Sequence, residues 1–141
     1  MRRAFETETE IDRPVAQVWR ELTDWEHAPR WMTGIEAMSC AGGTAPGSVV
    51  TFWTRGRSRT GTIAAVEPER ALIVESVQGG VTARYTYRLR PSGSGTTARL
   101  TAEVATTGPW TLLGPVVRGA IRRADAGQLD ALRDVLEGRR V

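Results

Sequence analysis

Residues 71–106 read ALIVESVQGGVTARYTYRLRPSGSGTTARLTAEVAT, and the way the two turns in this stretch pair the runs around them decides the fold. Val, Thr and Tyr are frequent, Gly and Ser punctuate, and apolar and polar residues alternate with the two-residue period of strands that bury one face. Three strands are predicted, over 71–78, 81–90 and 96–106. A turn at Gly79-Gly80 pairs Gln78 with Val81, which brings Val74 opposite Tyr85, Leu72 opposite Tyr87 and Glu75 opposite Arg84. A loop of Ser92, Gly93, Ser94 and Gly95 pairs Pro91 with Thr96, setting Tyr85 against Ala102, Tyr87 against Leu100 and Arg84 against Glu103. A slip of one residue would send every side chain to the other face. The two registers instead agree: Leu72, Val74, Ala83, Tyr85, Tyr87, Leu100, Ala102 and Val104 share one face, and the row Glu75, Arg84, Glu103 lies on the other as solvated ion pairs.

Upstream, a loop over EPER (67–70) pairs Ile63 with Val74 and Ala65 with Leu72, and a Gly56-Arg57 turn pairs Phe52 with Gly61 and Val50 with Ile63. Val50, Phe52, Ile63 and Ala65 thereby join the apolar face. The strands are expected over 58–66, 48–55 and 34–40. Trp53 falls on the polar face, where an exposed indole implies a subunit contact or a slipped register.

Before these strands, AFETETEI (4–11) alternates as a strand whose Phe5, Thr7, Thr9 and Ile11 share a face. RPVAQVWREL (13–22) sets Val15, Val18, Trp19 and Leu22 on one helical stripe, with Asp12 as the expected cap and Pro14 in the first turn. DWEHAPRWM (24–32) reads as a second short helix bent at Pro29. After Gly108-Pro109, WTLLGPVVRGAIRRADAGQLDALRDVLEGRRV (110–141) reads as one long helix. Leu113, Val117, Ala120, Ile121, Ala124, Gln128, Ala131, Leu132 and Val135 form its stripe, while Arg118, Arg122, Asp125, Arg133 and Glu137 point away. Gly114-Pro115 bends or delays its first turn, and Gly138 followed by Arg139 and Arg140 ends it. About 25 helical residues at ~1.5 Å each are long enough to cross the sheet.

The chain has 141 residues, 40% hydrophobic and 25% charged, which points to one globular domain over 1–141 and excludes disorder and coiled coil. No run approaches the roughly 18 apolar residues of a membrane span, and MRRAFETETEID has no apolar signal core, so a cytoplasmic protein without integral membrane association is expected. The single Cys40 forms no internal disulfide and with the single His27 builds no Cys/His zinc site; no metal or cofactor is implied. All 19 basic residues are arginine, and lysine and asparagine are both absent, which suggests a GC-rich bacterial genome. The net charge is only +3 and the arginines are scattered, so nucleic acid is not the expected partner.

A strand, two short helices, six antiparallel strands and a long C-terminal helix resembles the helix-grip fold of the START-related (SRPBCC) superfamily, in its polyketide cyclase/dehydrase branch. IDRPVAQVWRELTDWEHAPRW, GSVVTF, the PERAL turn, YTYRLRPSGSGTTARLT and GQLDALRDVLE carry the resemblance by their order and spacing. It implies an α+β architecture: a strongly curved seven-stranded antiparallel sheet gripping the C-terminal helix around a hydrophobic cavity. Such a widely reused fold leaves function open. The Rieske and iron ligands of oxygenase members cannot be built from one Cys and one His.

The residues expected to line that cavity are Trp31, Phe52, Ile63, Val74, Tyr85, Tyr87, Leu100, Ala102, Leu113, Val117 and Ile121. Tyr85 and Tyr87 offer two phenolic donors in apolar walls, for orienting a ligand or for polarising a carbonyl. His27 and Trp31 border the mouth by resemblance; a histidine can act as a base, but His27 has no nearby partner in the sequence. Trp25 packs the helix on the sheet. No P-loop, GxSxG or HExxH motif occurs, and no catalytic residue stands out. The reading is a monomer or homodimer that binds a small hydrophobic or aromatic molecule, such as a lipid or polyketide-like metabolite. One alternative is an aromatase/cyclase or dehydratase acting on a poly-β-keto chain, with Tyr85 or Tyr87 polarising a carbonyl and His27 or water moving the proton, in a cavity expected to hold few ionisable groups. Another is a cochaperone-like interaction module working through Trp53 or the arginines.

Overall fold

In the computed structural model, which describes residues 1–138, seven antiparallel strands form one sheet in the order β1-β7-β6-β5-β4-β3-β2. The chain runs β1 (Arg2–Ile11), α1 (Val15–Leu22), a 3₁₀ helix (Trp25–Arg30), β2 (Ala37–Cys40), β3 (Val49–Thr54), β4 (Arg57–Glu67), β5 (Ala71–Gln78), β6 (Val81–Ser92) and β7 (Gly95–Thr106). A second 3₁₀ helix (Gly108–Leu113), α2 (Gly114–Asp125) and α3 (Gln128–Leu136) follow. This is the helix-grip architecture: the curved sheet holds the C-terminal helical segment against its apolar face.

Every pairing expected across β5, β6 and β7 is present, from Gln78 with Val81 to Pro91 with Thr96. The β3–β4 hairpin differs. Its turn is Arg55-Gly56, with φ of 53° and 75°, so Thr54 pairs with Arg57, Val50 with Gly61 and Phe52 with Arg59. Both central residues take the left-handed conformation of a type I′ turn, whose twist matches the strands and which places glycine second. The register therefore moves by two residues, which leaves every side chain on its expected face. Trp53 accordingly stays on the polar face and is exposed.

The β4–β5 connection changes a face. Glu69 adopts φ 64° and the Arg70 N–H donates to Glu67 O at 2.9 Å, closing a loop one residue shorter than EPER. Ala65 then opposes Ile73 and Val66 opposes Leu72, and a bulge between Ile63 and Ala65 restores the expected pairing of Ile63 with Val74. Val66, not Ala65, packs on the core beside Leu72.

The helices depart from expectation at their ends. The N-cap of α1 is Pro14, and Asp12 caps nothing; its N–H instead donates to Glu137 Oε2 at 2.9 Å. The long C-terminal helix is interrupted at Ala126-Gly127, where Gly127 takes φ −90° and ψ 3°. Gly138, at φ 73°, follows the last helical turn as expected. Arg139 and Arg140 lie outside the described residues.

Sheet and helices meet in a core of Val18, Ile63, Leu72, Leu100, Leu129 and Leu132, each essentially without exposure. Burying one such side chain contributes about 1.5–3 kcal/mol. Thr9 Oγ1 donates to Asp130 at 2.7 Å and Arg122 Nη2 to Ala4 O at 3.0 Å, pinning the C-terminal segment to edge strand β1. The helices thus cross the sheet at fixed height, and the space left under α2 is the cavity.

Candidate functional site

Between the concave face of β3–β6, α2 and the segment from Leu22 to Met38 lies a cavity of about 520 Å³. Its wall is almost wholly apolar. Of the residues expected there, Phe52, Val74, Tyr85, Tyr87, Val117 and Ile121 line it. Ile63, Leu100 and Ala102 share the same concave face but are covered by neighbouring side chains, fully buried, and do not line the cavity. Trp31 is also buried and meets Tyr87 edge to face, ring centroids 6.3 Å apart, so it braces the wall instead of covering a ligand. Leu113, expected to help close the cavity, points outward and is 47% exposed. Its place is taken by Trp110 and Val116.

Strand period two puts Tyr85 and Tyr87 on one face of β6, and the helix places two partners opposite them. The Tyr85 hydroxyl donates to Asp125 Oδ2, and the Tyr87 hydroxyl to Gln128 Oε1 at 2.6 Å. Gln128 Nε2 donates to Asp125 Oδ1 at 3.1 Å, so the four side chains form one continuous polar strip in an apolar wall. Burial raises the Asp125 carboxyl above the usual carboxylate range, although the hydrogen bonds from Tyr85 and Gln128 oppose it. Burial likewise raises both phenols, helped by the Asp125 charge, so both remain protonated donors.

The expectation that charge sends Asp125 away from the sheet is therefore corrected. Its spacing carries the opposite signal: Val117, Ile121, Asp125 and Gln128 recur at four, four and three residues, one helical face. Ser76 and Gln78, inward-facing positions of β5, add polar groups near the mouth. Leu22, Trp25, Met32, Ile35 and Met38 complete the apolar wall. The Trp25 indole N–H donates to Thr44 Oγ1 at 2.9 Å, fixing that wall.

His27 has two carboxylates beside it. Its Nδ1 lies 3.1 Å from Asp24 Oδ2 and 3.8 Å from Glu21 Oε2, since the 3₁₀ helix folds back on the end of α1. These three side chains offer one nitrogen and two carboxylate oxygens within 4.8 Å of one another, the kind of set that suits a divalent cation. None of them lines the cavity. On the convex face Arg84 Nη2 meets Glu75 Oε2 at 3.1 Å and Arg84 pairs in register with Glu103, the row expected there.

The family described as polyketide cyclase/dehydrase and lipid transport matches residues 2–137. No curated protein sequence matches the chain. Among solved structures, the chain is similar to CalU16 from Micromonospora echinospora at 27% identity, covering 96% of this chain and 75% of that one with a TM-score of 0.64. It is similar to truncated norcoclaurine synthase from Thalictrum flavum at 16% identity, 96% and 94% coverage and a TM-score of 0.70. TTHA0849 from Thermus thermophilus gives 18% identity, 94% and 96% coverage and a TM-score of 0.73.

Proposed function

Because the chain belongs to the polyketide cyclase/dehydrase and lipid transport family, we propose that it binds and carries a small, mostly apolar molecule bearing one polar end. The observation that supports this is the cavity of about 520 Å³, apolar everywhere except the Tyr85–Asp125–Gln128–Tyr87 strip and the two polar groups near its mouth. Its volume falls in the ~300–1,000 Å³ range of ligand pockets. Apolar burial at about 25 cal/mol per Å² supplies affinity, and the strip selects orientation by satisfying a carbonyl or hydroxyl. Native mass spectrometry of freshly purified protein, followed by solvent extraction, tests the reading. A stoichiometric apolar passenger is the expected result. A clean apo mass, together with no uptake of the neutral probe N-phenyl-1-naphthylamine, would count against it.

A second reading, turnover of a poly-β-keto chain by enolisation and ring closure, is favoured by Asp125. A carboxylate in apolar surroundings can take the acidic C–H proton between two carbonyls while Tyr85 or Tyr87 donates to the enolate oxygen, and the wall holds the chain folded. Asp125→Asn keeps the shape and removes the acceptor. On this reading the variant still binds the naphthylamine probe but loses turnover of a poly-β-keto mimic by about 100-fold or more. Unchanged turnover excludes Asp125 as the base.

A further inference from the structure

The mouth of the cavity carries an apolar surface that neither reading uses. Every residue from Thr107 to Leu113 is exposed. Leu112 is 88% exposed, Val116 65% and Trp110 42%. Leu112 and Leu113 face solvent without lining the cavity, whereas Trp110 and Val116 belong to both surfaces. The segment is held, not loose: Thr107 N–H donates to Gly80 O at 2.9 Å, and the Trp110 indole lies so close over Gly80 that a β-carbon there would sit 2.4 Å from Trp110 Cδ1. A fixed turn is therefore presenting large apolar side chains to water around an opening, which is costly unless something covers them.

The charge around it identifies the cover. Strand pairing places Arg57 opposite Thr54, Val81 opposite Thr106 and Arg2 opposite Val104, so Arg2, Arg3, Arg55 and Arg57 stand at the same end of the sheet as the turn. Arg118 and Arg123 follow on α2, and no acidic residue occurs between Val104 and Ala124. Of the acids at this end, Glu36 Oε1 accepts the Gly56 N–H at 2.8 Å, Glu6 Oε2 lies 3.8 Å from Arg3 Nη2, and Glu103 stands in register with Arg84 and Arg3, so the arginines outnumber them. A second copy meeting this face would bring arginine rim against arginine rim. An anionic lipid surface matches both parts, since leucine and tryptophan insert at the headgroup boundary and guanidinium groups pair with phosphate.

We propose that the Trp110–Leu113 turn and Val116 dock the cavity mouth onto an anionic bilayer surface, as a peripheral contact. Docking sets the opening against the lipid from which cargo is taken, a role that rests on the carrier reading. No described helix is long and apolar enough to cross a membrane, which agrees with a contact that lies on the surface.

The test is flotation of the full chain with vesicles of phosphatidylcholine alone and of phosphatidylcholine with about 30% phosphatidylglycerol. Binding is expected to the mixed vesicles, at least about tenfold weaker to the neutral ones, and reduced by salt. The variant Leu112→Asp with Leu113→Asp should lose about tenfold or more of that binding yet take up N-phenyl-1-naphthylamine like the parent, because neither residue lines the cavity. Parent protein that stays unbound at low salt, or a double variant that floats equally, overturns the docking and leaves the carrier reading standing. Failure of the parent to take up the probe counts against the carrier and leaves the docking to flotation. A dimer in light scattering that the double variant converts to monomer also overturns the proposal, because the face is then covered by a second copy.

Discussion

Replacing Tyr85 by Phe removes one hydroxyl from the polar strip and should produce a stability loss that depends on pH, whereas Tyr87→Phe should not. The Tyr85 hydroxyl donates to the Asp125 carboxylate, and hydrogen bonds to charged groups contribute about 1.5–3 kcal/mol. Loss of that bond leaves the carboxylate with Gln128 Nε2 alone, in a place where burial already disfavours the charge. For a chain of this length the corresponding fall in Tm is roughly 5–9 °C at neutral pH. The hydrogen bond opposes the upward shift of the carboxyl, so removing it lifts that carboxyl further. With the folded value above the unfolded one, the folded state binds the extra proton, and stability falls as pH rises from the ordinary carboxyl range through the folded value. The fall is steeper in the variant. The gap between parent and Tyr85→Phe should therefore be about 1 kcal/mol in acid, where the carboxyl is neutral, and widen as the pH is raised. Tyr87 donates to a neutral amide, so Tyr87→Phe should cost about 1–3 kcal/mol at every pH in the same range. Urea titrations of the three proteins from acid to neutral pH measure this. Parallel curves for Tyr85→Phe and Tyr87→Phe would refute the argument that Tyr85 holds a charged Asp125.

Relative to the parent, Asp125→Asn should gain stability as the pH rises through the folded carboxyl value, because the buried charge goes while an oxygen remains for Tyr85. Its amide nitrogen, facing Gln128 Nε2 donor to donor, costs about 1–3 kcal/mol at every pH, and that cost alone should remain in acid, where folded and unfolded carboxyls are both protonated. Thermal scans at two pH values check it, and a gain that persists in acid would point to packing instead. Gly80→Ala should lower stability by about 1–3 kcal/mol and displace the Trp110 turn, since the added carbon would meet Trp110 Cδ1 at 2.4 Å and Thr107 O at 2.8 Å. A near-ultraviolet circular dichroism spectrum and urea midpoint identical to the parent's would contradict that close approach.

Much of this architecture is legible in the sequence because sheet registers are local. Two glycine turns and strict alternation set β5, β6 and β7 in register and put Tyr85 and Tyr87 on the inner face. The differences arise where loop length depends on left-handed residues that the sequence does not mark. Arg55 at φ 53° moves one hairpin by two residues at no cost to the faces, and Glu69 at φ 64° shortens another and exchanges Ala65 for Val66. In the candidate site, charge alone argues for solvent and so for Asp125 outside, whereas its helical spacing with Val117 and Ile121 points inward. Leu113 differs for the complementary reason: its apolar side chain argues for the inside, but the 3₁₀ turn before α2 swings it out.

By itself, then, the sequence determined the strands, which of them neighbour each other and which face of the sheet is apolar, because these follow from short-range periodicity and turn chemistry, but not the break that divides the C-terminal helix. Only the tertiary structure decided where the C-terminal segment rests. Its height is set by Arg122 on Ala4 O and Thr9 on Asp130, contacts between residues far apart along the chain. That placement brings Asp125 to Tyr85, leaves a space of about 520 Å³ beneath α2 and turns Leu112 and Leu113 to solvent at its mouth. A volume is a difference between distant surfaces, and no local pattern encodes it.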